Sequence, residues 1–303
     1  MDLQKKLKLA LNDNRLLILG TQVLFGFQFN GIFQELFVDL PYPYRVLEAC
    51  GLTLLMISIA FLVAPPMHHR LVEGGQDNAR VLRLATDFAG LALLPLTFAL
   101  AFDMFVAVAW TLGLVTGIII GATFFLAAIL SWYVLGFLLL RSKKPAMAKD
   151  KTVRTPLDVQ VDQLLTEARL IIPGAQALLG FQFAVTLMRA FAELPDAMKM
   201  LHVAALCCIG LAVILLMAPA SIHRIALGGE DDPAFVKVAS WFVVAAPLPL
   251  AFGIALDTFV ATGRALESAR AASLLSLAAI VVLLGTWYVY PLAQRLLKKT
   301  GRP

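Results

Sequence analysis

Charge is scarce in this chain, and so are the side chains that most enzymes use. Asp, Glu, Lys and Arg make up 15% of the 303 residues, beside four histidines and three cysteines. The cysteines give neither a disulfide framework nor a metal set: Cys50 lies alone in an apolar run, and the adjacent Cys207 and Cys208 must point to different faces of one helix. A b-type haem needs histidines facing each other near mid-membrane. Here His68, His69 and His223 sit at one edge of their apolar runs and His202 near the opposite edge of its own. No nucleotide loop, Ser-His-Asp set or paired-carboxylate signature is present. The expectation is a protein that is not an enzyme, with no catalytic residue, no metal and no cofactor.

What the chain has in excess is apolar sequence. At 60% hydrophobic residues and a mean hydropathy of +0.83, it holds more apolar side chains than a soluble core of this length can take. It reads as an all-α polytopic membrane protein. Crossing a ~30 Å hydrocarbon layer takes about 20 helical residues, and eight runs qualify, near 15–36, 46–67, 80–101, 109–140, 169–190, 199–219, 236–256 and 271–292. A β-barrel would alternate in polarity over ~10-residue segments, and "GLVTGIIIGATFFLAAIL" (113–130) does not. The basic start lacks a small-x-small cleavage site and has an internal counterpart, so it reads as a retained span.

Lys and Arg collect on one side of the expected membrane. With the spans taken alternately, 20 of the 25 fall at the chain ends, in the central linker and in the loops that share their side; Arg45, Arg189, Lys199, Arg264 and Arg270 remain for the other. The positive-inside rule then places both termini in the cytoplasm, in a bacterial inner membrane. The net charge of +5 has anionic lipid headgroups as its natural partner, and nucleic acid is not called for.

Shifted by 154 residues, the chain aligns with itself from its start to about residue 106, and ten of the fifteen positions over 15–29 are identical. The matches include Arg15/Arg169, Gly20/Gly174, Gln22/Gln176, Gly26/Gly180, Gln28/Gln182, His69-Arg70/His223-Arg224 and Asp103/Asp257. Each half holds four spans, so both enter from the same side, as parallel repeats related by a pseudo-two-fold axis along the membrane normal. The expected units are 1–140, a cytoplasmic linker over 141–156, and 157–303. Apolar stripes precede each first span, Leu3, Leu7 and Leu11 in one copy and Leu157, Val161 and Leu165 in the other. They read as short interfacial helices on the cytoplasmic leaflet.

The polar residues inside these runs are the candidates for function. Gln22 and Gln28, with Gln176 and Gln182, straddle the midplane of the first span of each half. They either line a solute path where the repeats meet or hydrogen-bond neighbouring helices at about 0.6–2 kcal/mol each. Arg15, Arg169, His69, Arg70, His223 and Arg224 stand at the cytoplasmic helix ends, suited to lipid headgroups or to gating. "APPMHHR" and "APASIHR" read as helix ends, with Asp232 capping the helix that follows and Pro233 in its first turn. Asp103 and Asp257 read as caps. Asp87 has Trp241 as its counterpart, and Arg83 is its expected partner one turn earlier. Pro95, Pro247 and Pro249 bend the third spans.

At "EARLIIPGAQALLGFQF" (167–183) together with "APASIHR" (218–224), the chain resembles an uncharacterised family of small bacterial four-helix membrane proteins. That family is built on a Glu-x-Arg, Gly-x-Gln start and an Ala-Pro-x-x-x-His-Arg helix end. The first half departs from it, with Asp13 where Glu167 stands in the second. The resemblance implies a fused pair of four-span units and brings no activity with it. The expected function is small-solute or ion transport through a site at the repeat interface. The alternative is a non-catalytic accessory or scaffold subunit of a larger membrane complex, with a protein partner or a homo-oligomer. A wet cavity reaching the glutamines would favour the first, and dry packing with every amide paired the second.

Overall fold

The computed structural model describes residues 3–76, 79–134, 156–225, 227 and 230–299, without the side chains of 3–9, 11–13 and 299. Of the expected linker only Pro156 lies within the described residues. In the first half α1 (Leu3–Ile32) leads through a short turn of 3-10 helix (Glu35–Asp39) to α2 (Tyr42–Glu73) and α3 (Ala79–Leu112); α4 (Leu114–Ile129) ends in a π turn (Leu130–Val134). In the second, α5 (Leu157–Thr186) and α6 (Asp196–Ile225) are followed by α7 (Pro233–Ala245) and α8 (Pro247–Leu266). Next come α9 (Ala269–Leu284), a π turn (Gly285–Val289) and α10 (Tyr290–Lys299). No strand occurs among the described residues. Seven helical stretches are long and apolar enough to cross a membrane: α2, α3, α4 with its turn, α5, α6, α7 with α8, and α9 with α10. Eight were expected. The 30-residue α1 is not among the seven, because Arg15, Thr21, Gln22, Gln28 and Asn30 dilute its apolar run.

Local chemistry sets the helix ends. Gly74 (φ 58°) and Gly75 (φ 79°) stop α2 in the left-handed region open to glycine. Asp232 starts α7 as expected, its Oδ1 accepting from the Ala234 N–H at 2.6 Å with Pro233 in the first turn. Pro247 divides the third span of the second half into α7 and α8, whereas α3 passes Pro95 unbroken. The "APPMHHR" segment lies at the end of a helix as expected: α2 runs through Pro65 and Pro66 for about two more turns, to Glu73. Pro66 has no N–H for the Leu62 carbonyl. The Asn14 amide donates to that carbonyl instead, at 2.8 Å, so a side chain from α1 replaces the missing backbone donor.

One hydrophobic core runs through both halves, drawing Phe25 and Phe29 from α1, Met56 and Ile59 from α2, Leu178 from α5 and Ile254 from α8. At its centre is α2, with 56% of its apolar stretch buried against 33% for its counterpart α6. Trp287 after α9 is fully buried and donates to the Ala60 carbonyl of α2 at 2.9 Å, while the matching Trp132 is exposed. Other contacts are shared by the repeats: the Tyr133 hydroxyl donates to the Gly90 carbonyl, and the Tyr288 hydroxyl to that of Val244, each at 2.7 Å. The apolar stripes are continuous with α1 and α5 and do not form separate helices. In α5 that stripe packs Val161 and Leu165 on Phe235, Ala239 and Val243 of α7.

Candidate functional site

The four glutamines do not meet. Gln28 reaches from α1 into its own repeat, its Nε2 donating to Asp103 Oδ1 of α3 at 2.7 Å and to Glu48 Oε2 of α2 at 3.2 Å. Gln182 repeats the pattern in a drier place. Its Nε2 donates to Asp257 Oδ2 of α8 at 2.7 Å, and its carbonyl lies 3.0 Å from His202 Nε2 of α6. His202 Nδ1 stands 3.4 Å from the other Asp257 oxygen, and both side chains are fully buried. Shifted by 154 residues, Gln28, Glu48 and Asp103 fall on Gln182, His202 and Asp257. Each repeat thus ties three of its helices with one polar triad, and the two triads differ at one member, Glu48 against His202. The expectation of Asp103 and Asp257 as caps is corrected, since α3 and α8 run on to Leu112 and Leu266. The second triad also touches the first repeat, where Phe29 stacks on His202 with ring centroids 5.7 Å apart.

Gln22 and Gln176 part company despite the close match of their surroundings in sequence. Gln22 is fully buried and lies against Gly174 of α5, where any Cβ would overlap its amide. Neither amide atom has a hydrogen-bond partner among the described residues. Gln176 is exposed, with only Met217 Sδ near its Nε2, at 3.8 Å. The two helices meet through non-equivalent faces, Gln22 and Gly26 of α1 against Gly174 and Phe181 of α5. Two closely similar sequences therefore sit in two rotational settings.

At the opposite end of the bundle from the triads, the second repeat is bridged to the first by buried charge. Glu167 near the start of α5 accepts from His69 Nδ1 and from Arg70 Nε, both in the last turns of α2. Glu167 and His69 are fully buried and Arg70 is 7% exposed. The acid of the Glu-x-Arg motif thus meets the His-Arg pair of the other repeat's helix end. No local spacing announces that partnership, because 97 residues separate Arg70 from Glu167. The matching residues of the other copy do not follow suit. His223 is half-buried, 3.8 Å from Asp231 Oδ1, Arg224 is exposed, and the side chain of Asp13 is outside those described. Arg15 is half-buried and Arg169 exposed, with no ion pair for either among the described residues. Arg83 and Asp87 are both exposed and likewise form no ion pair there.

A cleft of about 840 Å³ opens beside Arg70, between the end of α2 and the starts of α5 and α7, with Arg295 of α10 on its rim. Far from it, two ties join the repeats at the triad end. Arg264 of α8 donates from Nε to the Ile32 carbonyl at the end of α1, at 2.9 Å, and Arg45 pairs with Glu267. Among the described residues no group of three or more His, Cys, Asp or Glu side chains is placed to hold a metal.

Apolar helices of spanning length, packed on one core with ionisable groups sealed inside, define an integral membrane protein. Residues 2–136 and again 150–291 match the Family of unknown function (DUF6328), and the chain belongs to that family, as a tandem duplication of its unit. No curated protein and no solved structure matches it.

Proposed function

We propose that the protein transports a small solute or ion by movement at the contact between its two repeats. The observation that carries this reading is the Glu167–His69–Arg70 bridge, three buried ionisable side chains joining one repeat to the other. Ionisable groups within membrane helices are costly, and they mark solute or ion paths by default. A bridge that must open for the repeats to rock apart supplies a two-state element of the kind alternating access requires. In this reading α1 crosses as an eighth span, the four-helix repeats are parallel about a pseudo-two-fold axis, and the bridge and both termini face the cytoplasm of a bacterial inner membrane. Anionic headgroups are its partners, and it uses neither nucleic acid nor cofactor and is not an enzyme.

One observation favours the accessory or scaffold reading: the Nε2 groups of Gln28 and Gln182 donate within their own repeats, and Gln176 is exposed. Flux of a panel of ions and small metabolites into proteoliposomes separates the two. Transport requires flux above that of empty liposomes for at least one species. It should fall at least about tenfold when Arg70→Gln and Glu167→Gln are combined, a pair chosen so that neither charge is left buried alone. A parent protein that moves nothing on the panel refutes transport.

A further inference from the structure

The cleft beside Arg70 is lined by basic groups without acids. Arg70, Lys237 and Arg295 contribute guanidinium and ammonium groups, and no Asp or Glu is among the described residues of its lining. Glu167 already neutralises Arg70, so Lys237 and Arg295, neither of which has an ion-pair partner among the described residues, leave an excess of two positive charges. Arg70 Nη2 is buried and without a hydrogen-bond partner there, although its residue lines the cleft. A guanidinium N–H left without a partner is a donor that an oxyanion seated beside it satisfies. The rest of the wall combines apolar side chains, Leu71, Val236, Val244 and Trp241 among them, with the neutral polar Gln76, Gln160 and Ser240.

The internal repeat supplies a control. Lys237 falls on Arg83 and Trp241 on Asp87 under the 154-residue shift. One turn after its cation the first repeat keeps a carboxylate, and the second replaces it with an indole. Where the cleft forms, the position one turn after the cation thus carries an indole and no carboxylate.

We propose that this cleft binds a phosphate ester with an apolar body, its phosphate on Arg70, Lys237 and Arg295 and its body along Trp241. A phosphate monoester carries about −1.5 to −2 charges at neutral pH, which matches the excess of the lining. An anionic phospholipid headgroup and a soluble organic phosphate share this chemistry, and basic pockets between membrane helices are suited to either. The inference places a ligand beside the inter-repeat bridge and so rests on the transport reading for its role, though not for its existence. The ligand's oxygens would compete with Glu167 for Arg70, which couples occupancy to the bridge.

The test uses the full chain in phosphatidylcholine nanodiscs. Hexyl phosphate is titrated by calorimetry, and in separate discs doped with phosphatidic acid the retained lipid is counted by native mass spectrometry. At least one probe should bind saturably. That binding should weaken at least about tenfold in Trp241→Asp, which restores the carboxylate of the first repeat, because like charge facing a bound anion costs several kcal/mol. Lys237→Gln, a surface change, should weaken it as well, and an unshifted unfolding temperature shows that the fold is kept. Hexyl phosphate alone binding marks a soluble ligand, retained phosphatidic acid alone marks a headgroup, and either sustains the site. No saturable binding of either probe, or binding undiminished in both variants, overturns it. Flux without phosphate binding would remove this inference and leave transport standing; binding without flux would do the reverse.

Discussion

Removing one member of the Glu167–Arg70 pair should cost far more than removing both. In Glu167→Leu the Arg70 guanidinium keeps its place, 7% exposed, and loses its only carboxylate among the described residues. Stranding a buried charge in this way costs about 3–5 kcal/mol, and Arg70→Met, which strands Glu167, falls in the same range. The His69 donor that remains on Glu167 offsets part of that second loss, so Arg70→Met should be the milder of the two. The double variant leaves two apolar side chains of similar bulk and no stranded charge, and should lie within about 1–2 kcal/mol of the parent. The coupling would then be at least about 4 kcal/mol, close to a thousandfold in the unfolding equilibrium. Reversible unfolding in mixed micelles with increasing dodecyl sulfate, followed by circular dichroism, reads all four proteins of the cycle. Single variants within about 1 kcal/mol of the parent, or a double variant equal to the sum of the singles, would refute the reasoning.

The other predictions concern packing and the triads. Asn14→Leu should destabilise by about 1–3 kcal/mol by leaving the Leu62 carbonyl bare, and Pro66→Ala in that background should recover most of the loss by returning an N–H; failure of the rescue in the same unfolding assay would show that Asn14 acts otherwise. Gly174→Ala should cost about 1–3 kcal/mol through overlap with the Gln22 amide, and combining it with Gln22→Ala should relieve that cost, whereas additive losses would place the strain elsewhere. His202→Glu sets a second carboxylate against the fully buried Asp257 and should cost about 3 kcal/mol or more. Glu48→His should be neutral or stabilising, since it gives Asp103 the partner Asp257 already has; a protein that tolerates His202→Glu and loses stability with Glu48→His would reverse this account.

Much of the fold was legible because it depends on local chemistry. Apolar runs of spanning length, the Gly74-Gly75 stop and the Asp232-Pro233 start are each decided within a few residues. The duplication was legible because identity at one offset needs no structure. What escaped the sequence was pairing between distant residues. Glu48 and His202 occupy one place in two triads, but they differ in type, so aligning the halves gave no reason to single out either. Glu167 and Arg70 belong to different copies, and a search within one copy cannot join them. Gln22 and Gln176 were legible as residues and not as positions, because the two similar helices meet each other through non-equivalent faces. The same distinction separates the buried Trp287 from the exposed Trp132.

The bridge between the repeats also imposes an order on biosynthesis. Arg70 leaves the ribosome 97 residues before Glu167, about 5–20 s earlier at ordinary rates of translation. In the reading that places this helix end at the membrane boundary, the guanidinium has no carboxylate from α5 throughout that interval, and a lipid phosphate or water holds it. Completion of α5 then exchanges a temporary lipid contact for a permanent one within the chain. A nascent chain that stalls before α5 would keep a loose, lipid-bound basic end, which a membrane quality-control protease could tell from the finished protein.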